Sequence, residues 1–108
     1  MSLREERIEY QDKQFRLILL ELDNAVVVIF GEDPPKLGTL AVALPREETV
    51  TSSVLLGGKY ILSARAIAER TASLCRKMSL VSVHTQISES EAIKLAVDLL
   101  RRLTSSSR

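Results

Sequence analysis

Three kinds of residue in this chain are equipped for chemistry: one histidine, one cysteine and a few carboxylates near expected loops. His84 stands alone in "LVSVHTQI", on the polar parity of an alternating stretch. A metal centre needs several ligands at set spacings, and one His with one Cys does not supply them. Cys75 falls at the edge of a helical apolar stripe with no histidine near it in sequence to take its proton, so it reads as a small boundary residue. Glu32, Asp33, Glu47 and Glu48 gather around loops, where nothing would raise a carboxyl pKa, and read as solvated charge. "LLGGKYILS" puts two glycines and Lys59 before a helix but lacks the GxxxxGK[ST] spacing of a phosphate cradle. The Ser/Thr clusters "TVTSS" and "TSSSR" hold no nucleophile elbow. The expectation is a protein without catalytic, metal or cofactor site.

Bulk properties narrow the class further. At 108 residues the chain fits one domain, 1–108, with a core over about 7–103 and looser ends, the first few residues and 104–108. Its apolar fraction of 45% supports a real core. Fifteen basic and fourteen acidic residues, net +1, are mixed along the chain, which is no footprint for nucleic acid or an anionic membrane. The single Cys suits a reducing compartment. No apolar run approaches the ~18–20 residues of a membrane span, and no signal peptide is visible, so the expected location is the cytoplasm, with the nucleus beside it. Two Tyr, two Phe and no Trp offer no base-stacking surface.

These residues must be held by elements whose periods change along the chain. Arg7 to Tyr10 alternates and suits a short edge strand. Phe15 to Leu22 and Ala25 to Phe30 read as two strands joined by a tight turn at Asp23-Asn24. Gly31 to Lys36, with two prolines, is a loop. Thr39 to Leu44 is a strand with Leu40, Val42 and Leu44 on one face and Thr39, Ala41 and Ala43 on the other, small groups that permit close approach. "TSSVLL" can form a short strand before Gly57-Gly58.

From Tyr60 to Met78 the period becomes helical, with Tyr60, Ala64, Ile67, Thr71, Leu74 and Met78 in one stripe. Leu80 to Ile87 alternates as a strand. Ser88-Glu89-Ser90-Glu91 spells a capping box for a second helix running to about Leu103. The order strands, helix, strand, helix gives an α+β fold: a mainly antiparallel sheet of four to six strands with two helices packed against it.

Such a sheet has more apolar surface than two helices can cover. Strands spaced about 4.8 Å apart make a four-stranded sheet roughly 20 Å wide, and two helices about 10 Å across cover one face. "FRLILLELDNAVVVIF" is apolar on both parities, so at least five large side chains are left for the second face. Burying each is worth about 1.5–3 kcal/mol, and their sum rivals the stability of a small domain. Packing two such sheets face to face is the economical remedy.

The segments "KLGTLAVALP", "TSSVLLGG" and "AIAERTASLCRKMSLVSVHTQISESEAIKLAVDLLRRL" resemble the small proteasome assembly chaperones, chaperone 3 and chaperone 4. Lys36–Leu44 and Val54–Gly57 are closer to chaperone 3, while Ala41–Ala43 and "IAERTA" are also similar to chaperone 4. The resemblance spans roughly Phe15 to Leu103 and is carried by structural motifs. It implies a non-enzymatic, dimeric chaperone of 20S proteasome assembly that binds subunits of the forming alpha-ring. Its pairing partner would be a copy of itself or a paralogue.

Candidate dimer contacts are Leu17, Leu19, Val26, Val28 and Phe30, or the alternate parity of the same strands. Candidate client contacts are Leu95 and Leu99 on the second helix and Arg65, Glu69 and Arg76 on the first, with the loop Glu32 to Lys36 beside them. An alternative is a roadblock- or longin-like dimerisation scaffold for a GTPase or trafficking complex, since those folds also pair through sheet and helix surfaces.

Overall fold

A computed structural model of the chain describes residues 1–46 and 50–105. Six strands and two helices follow in the order β1 (Ser2–Tyr10), β2 (Lys13–Glu21), β3 (Ala25–Glu32), β4 (Thr39–Leu44), β5 (Thr51–Leu56), α1 (Ile61–Cys75), β6 (Met78–His84) and α2 (Glu89–Ser105). They form one sheet with the strand order β1-β2-β3-β6-β4-β5. Every neighbouring pair is antiparallel except β3 and β6. The expected α+β architecture is therefore present, as a mixed, mostly antiparallel sheet. The parallel pair arises because α1 carries the chain back across the sheet, and β6 inserts between β3 and β4.

Local chemistry explains the boundaries. Gln11 and Asp12 both have positive φ, 53° and 64°, the two-residue turn whose twist suits a hairpin. Because that turn fixes the register, β1 pairs with β2 along its whole length, from Ser2↔Glu21 to Tyr10↔Lys13. The start of the chain is thus a paired edge strand instead of the short strand at Arg7–Tyr10 with a loose segment before it. At Asp23-Asn24 the Leu22 N–H donates to the Ala25 carbonyl at 2.8 Å, closing the expected β2–β3 turn.

Helix α1 stops at Cys75, short of Met78, because Arg76 adopts the left-handed conformation (φ 56°) and its N–H returns to the Ala72 carbonyl at 2.8 Å. Arg76 is therefore a cap, and the last turn of α1 has no basic residue. The buried face of α1 is Ser63, Ala64, Ile67, Ala68, Thr71 and Ala72, while Leu74 and Met78 of the expected stripe are exposed. Ahead of α2 the capping box forms as its spacing requires: the Glu91 N–H donates to Ser88 Oγ and the Ser88 N–H to Glu91 Oε1, both at 3.2 Å.

Both helices lie on the same face of the sheet. α1 crosses β6, β4 and β5, and α2 lies over β1 and β2 with its flank against α1. The molecule measures 40 × 33 × 19 Å. Its short dimension holds one sheet and one helix layer, each about 10 Å thick. The core fills the space between, from Phe15, Leu17, Leu19, Val26, Val28, Phe30, Val81 and Val83 on the sheet to Ile67, Leu99 and Leu100 on the helices. Phe15 stacks on Phe30, ring centroids 6.0 Å apart. Ala41 and Ala43, fully buried, let α1 approach β4 closely.

Candidate functional site

The residues equipped for chemistry are dispersed and already engaged. Glu32 is held at the β3–β6 end, accepting from the Thr85 hydroxyl at 2.8 Å and the Gln86 N–H at 2.9 Å and pairing with Lys13 at 3.5 Å. Burial pushes its carboxyl up, but those partners outweigh it, and the net shift is downward. Asp33 pairs with Arg16 Nε at 2.9 Å. His84 is exposed and shares a small cavity of about 110 Å³ with Glu32, Asp33, Lys36 and Thr85. The Cys75 thiol is half-buried, and burial raises its pKa, the wrong direction for a thiolate nucleophile. Glu47 and Glu48 lie outside the described residues. Among the described residues no three His, Cys, Asp or Glu side chains converge.

The conspicuous feature is instead the sheet face without helices. Cross-strand register arranges its side chains in rows running perpendicular to the strands. One row is Leu3, Leu20, Val27, Leu80 and Val42, each opposite the next, across β1, β2, β3, β6 and β4. The adjacent row runs Glu5, Ile18, Ile29, Ser82, Leu40 and Leu56 across all six strands. A third row, Arg7, Arg16, Gly31 and His84, is polar. Ile18, Leu20, Val27, Ile29, Leu40, Val42 and Leu80 are half-buried by their neighbours alone, and Leu3, Leu44 and Leu56 are exposed. This apolar area is broader than the single scattered residues of an ordinary surface.

The candidate residues distribute unevenly about this face. Leu17, Leu19, Val26, Val28 and Phe30 are fully buried beneath the helices, so they belong to the core and are not open to a second chain. Their alternate parity, Ile18, Leu20, Val27 and Ile29, looks outward. Leu99 is likewise fully buried and Leu95 nearly so, because the wide apolar arc of α2 meets both the sheet and α1. Ile93 and Val97 are the partly exposed apolar residues of that helix. On α1, Arg65 Nε donates to Ser52 Oγ at 3.0 Å, and the Ser52 hydroxyl donates to Glu69, so these two charges meet through β5. Arg76 is exposed at the helix end beside Pro45, Arg46 and Val50.

One sequence signal distinguishes the two parities. On β4 the helix-facing side carries only Thr39, Ala41 and Ala43, whereas Leu40, Val42 and Leu44 point away. A helix can approach closely only over the small residues, and pairing then assigns every neighbouring strand.

The two motif halves that carry the resemblance also meet in space. Gly57 has φ +103°, and a Cβ placed there would lie 2.6 Å from Thr39 Oγ1. The Thr39 hydroxyl in turn donates to the Lys59 carbonyl. Gly38 presses on β6, where an added Cβ would come within 2.1 Å of the Val83 carbonyl oxygen, and its N–H donates to Ser82 Oγ at 2.8 Å. "GTL" and "LLG" are thus two sides of one joint between β4, β5 and α1.

The geometry defines a two-layer α+β protein with an uncovered apolar sheet face. In three dimensions the chain is similar to one in "Crystal Structure of a Novel Chaperone Complex for Yeast 20S Proteasome Assembly", with a TM-score of 0.69 and 18% sequence identity, over 94% of this chain and 95% of that one. No protein-family model and no curated protein matches the sequence. At that identity the likeness establishes a shared fold over essentially the whole length of both chains. No helix among the described residues is long and apolar enough to cross a membrane.

Proposed function

We propose that this chain is a non-enzymatic chaperone of 20S proteasome assembly, working as a dimer that binds subunits of the alpha-ring. The observation that carries the reading is the helix-free sheet face, with one wholly apolar row crossing five strands and a second that is apolar apart from Glu5 and Ser82. The large apolar residues there are already half-buried, so removing the rest of each from water contributes roughly half of the 1.5–3 kcal/mol of full burial, and the sum over the face favours pairing two chains. Sheets packed face to face at about 10 Å interdigitate such rows. Arg16, braced by Asp33 at 2.9 Å, places a polar margin at one end of the face, as expected for an interface rim. The fold likeness to a chain of a yeast proteasome-assembly chaperone complex supports this reading.

The partner is a copy of this chain or a paralogue with the same fold. Light scattering on the purified protein and pull-down of tagged chain from cells with stalled proteasome assembly test the reading together. A dimer that retains free alpha subunits is the expected outcome. A monomer that stays soluble with its face wet, or co-purification of small GTPases in place of proteasome subunits, would overturn it.

A further inference from the structure

Helices α1 and α2 start together and end together on the side of the sheet away from the open face. At their N-termini the Tyr60 hydroxyl donates to the Ile87 carbonyl. Ser63 donates its N–H to Glu89 at 3.3 Å and its hydroxyl to the same oxygen at 3.2 Å. At the other end Arg4 donates to the Leu103 carbonyl and lies within electrostatic reach of Cys75. The helices therefore run side by side and parallel, with a groove between them on the outer surface.

Steps of three and four residues from the Ser63–Glu89 contact trace the walls of this groove. On α1 they reach Ala66, Arg70 and Leu74, and on α2 Ile93, Val97 and Arg101. Ala66, Ile93 and Val97 are half-buried, while Arg70, Leu74 and Arg101 are exposed. A shallow cavity of about 490 Å³ opens along the α2 wall, lined by Ile93, Lys94, Leu95, Val97, Asp98 and Arg101.

Charge beyond Glu89 is positive and unspent. Every carboxylate of the two helices already has a partner. Glu69 accepts from the Ser52 hydroxyl, Glu89 from Ser63 and Glu91 from Ser88, and Asp98 pairs with Arg102 at 3.1 Å. Asp98 also projects about 100° further around α2 than Val97, away from α1. Arg70, Lys94 and Arg101 form no ion pair with any described carboxylate. Cations facing one another beside an apolar floor favour an anionic partner.

The backbone along both walls is helical and bonded internally, so the groove offers an incoming chain side chains and no ladder to extend. A helix suits such a surface, because it satisfies its own backbone and presents one stripe of side chains. α1 has 15 residues and α2 has 17, so the groove runs about 22–25 Å.

We infer that the groove between α1 and α2 is a docking site for an amphipathic helix of a partner protein whose first turn carries Asp or Glu. The incoming helix lies antiparallel to α1 and α2, so the dipoles oppose and its acidic N-terminal turn meets Arg70 and Arg101. Its apolar stripe covers Leu74, Val97 and Ile93, with Ala66 allowing close approach. The site goes beyond pairing through the open face, since a dimer joined there keeps both grooves outward.

The test uses the full chain and a labelled sixteen-residue Ala/Leu peptide, with Leu at every third or fourth position and three Glu in its first turn. A counterpart of the same composition carries the Glu in its last turn, and a hydrocarbon staple holds both helical. Fluorescence anisotropy should register the first peptide and show several-fold weaker binding of the second. Amide NMR shifts should move along Ala66–Leu74 and Ile93–Arg101 and stay fixed in β3. Arg70→Glu and Arg101→Glu, both at exposed positions, should each weaken binding several-fold. Lys36→Glu makes the same charge change outside the groove and should leave binding at the parent level. Equal binding of the two peptides, shifts confined to the open face, or groove substitutions no weaker than Lys36→Glu would overturn the site. So would shifts at Ile93 and Val97 that grow with protein concentration without peptide, because a second copy would then fill the groove. Ile29→Asp, on the open face, should bind the first peptide like the parent whether or not it pairs, so failure of pairing and failure of this site are read separately.

Discussion

Arg4 donates from its guanidinium to the Leu103 carbonyl at 2.8 Å, joining the edge strand β1 to the C-terminal turn of α2. At the other end of the same strand the Tyr10 hydroxyl donates to Glu91 in the first turn of α2. Six residues of strand at about 3.3 Å and twelve of helix at about 1.5 Å both span close to 20 Å, so the two anchors fit without distortion. β1 is therefore strapped along α2 despite its charged sequence. Arg4 also pairs with Glu21 at 3.1 Å.

Arg4→Ala should remove both contacts and cost about 1–2 kcal/mol, the range for a partly exposed charged hydrogen bond. Urea denaturation would read it as a lower midpoint with an unchanged slope. A midpoint equal to that of the parent chain would show that the strap contributes nothing.

The two parities of β3 should respond oppositely to a buried charge. Val28→Asp places an unpaired carboxylate in the core and should unfold the protein. Ile29→Asp faces outward, and should leave circular dichroism intact while light scattering falls to the monomer mass. Dimers surviving Ile29→Asp would exclude the open face as the interface.

Gly57→Ala should destabilise by more than about 1 kcal/mol, because a side chain there meets Thr39 in a backbone conformation few L-residues adopt. Thermal melting would report a fall of roughly 4–8 °C per kcal/mol. Gly58→Ala is the internal control, since nothing lies within 4 Å of a Cβ at that position.

Ser88→Ala should cost about 1 kcal/mol by uncapping α2. The effect should be reproduced only in part by Ser88→Gly, measured by the same melts. Equal stability of all three would remove the capping box from the account.

Acid should weaken the fold. The Glu21 carboxyl is lowered chiefly by its hydrogen bond from Lys77, and Glu91 chiefly by the one from Tyr10. Glu32 is lowered on balance, as its partners overcome burial. These groups ionise more readily in the folded than in the unfolded chain. Their contribution is complete above the unfolded carboxylate value and disappears as pH falls through the lower folded values. Denaturation at pH 6 and pH 3 should show the lower stability at pH 3, and the reverse order would contradict the assigned pairs.

Much of this fold is legible in the residues because period and punctuation agree. The strands at Ala25 and Thr39 begin where their β-branched and alternating patterns do, and Ser88 with Glu91 announces α2 directly. The length of β1 was hidden, because its charges look like a solvated terminus until the Gln11-Asp12 turn aligns them with β2. Arg76 was similarly opaque: nothing in "SLCRKMS" declares that a non-glycine residue will take the left-handed cap. On the candidate site, apolar runs on both parities gave notice of an uncovered face, whereas its identity depended on which side α1 chose. Ala41 and Ala43 held that information, but only in combination with the strand order, and the insertion of β6 between β3 and β4 is a long-range pairing that no local pattern encodes.

That insertion bears on how the polypeptide is made. When β4 and β5 leave the ribosome, the neighbour that joins them to β3 has not been translated, so two half-sheets must wait with raw edges. At roughly 5–20 residues per second the gap lasts a few seconds, and the nascent chain spends them exposed to capture by any stray strand. A chain whose strand order followed its synthesis would never face that interval.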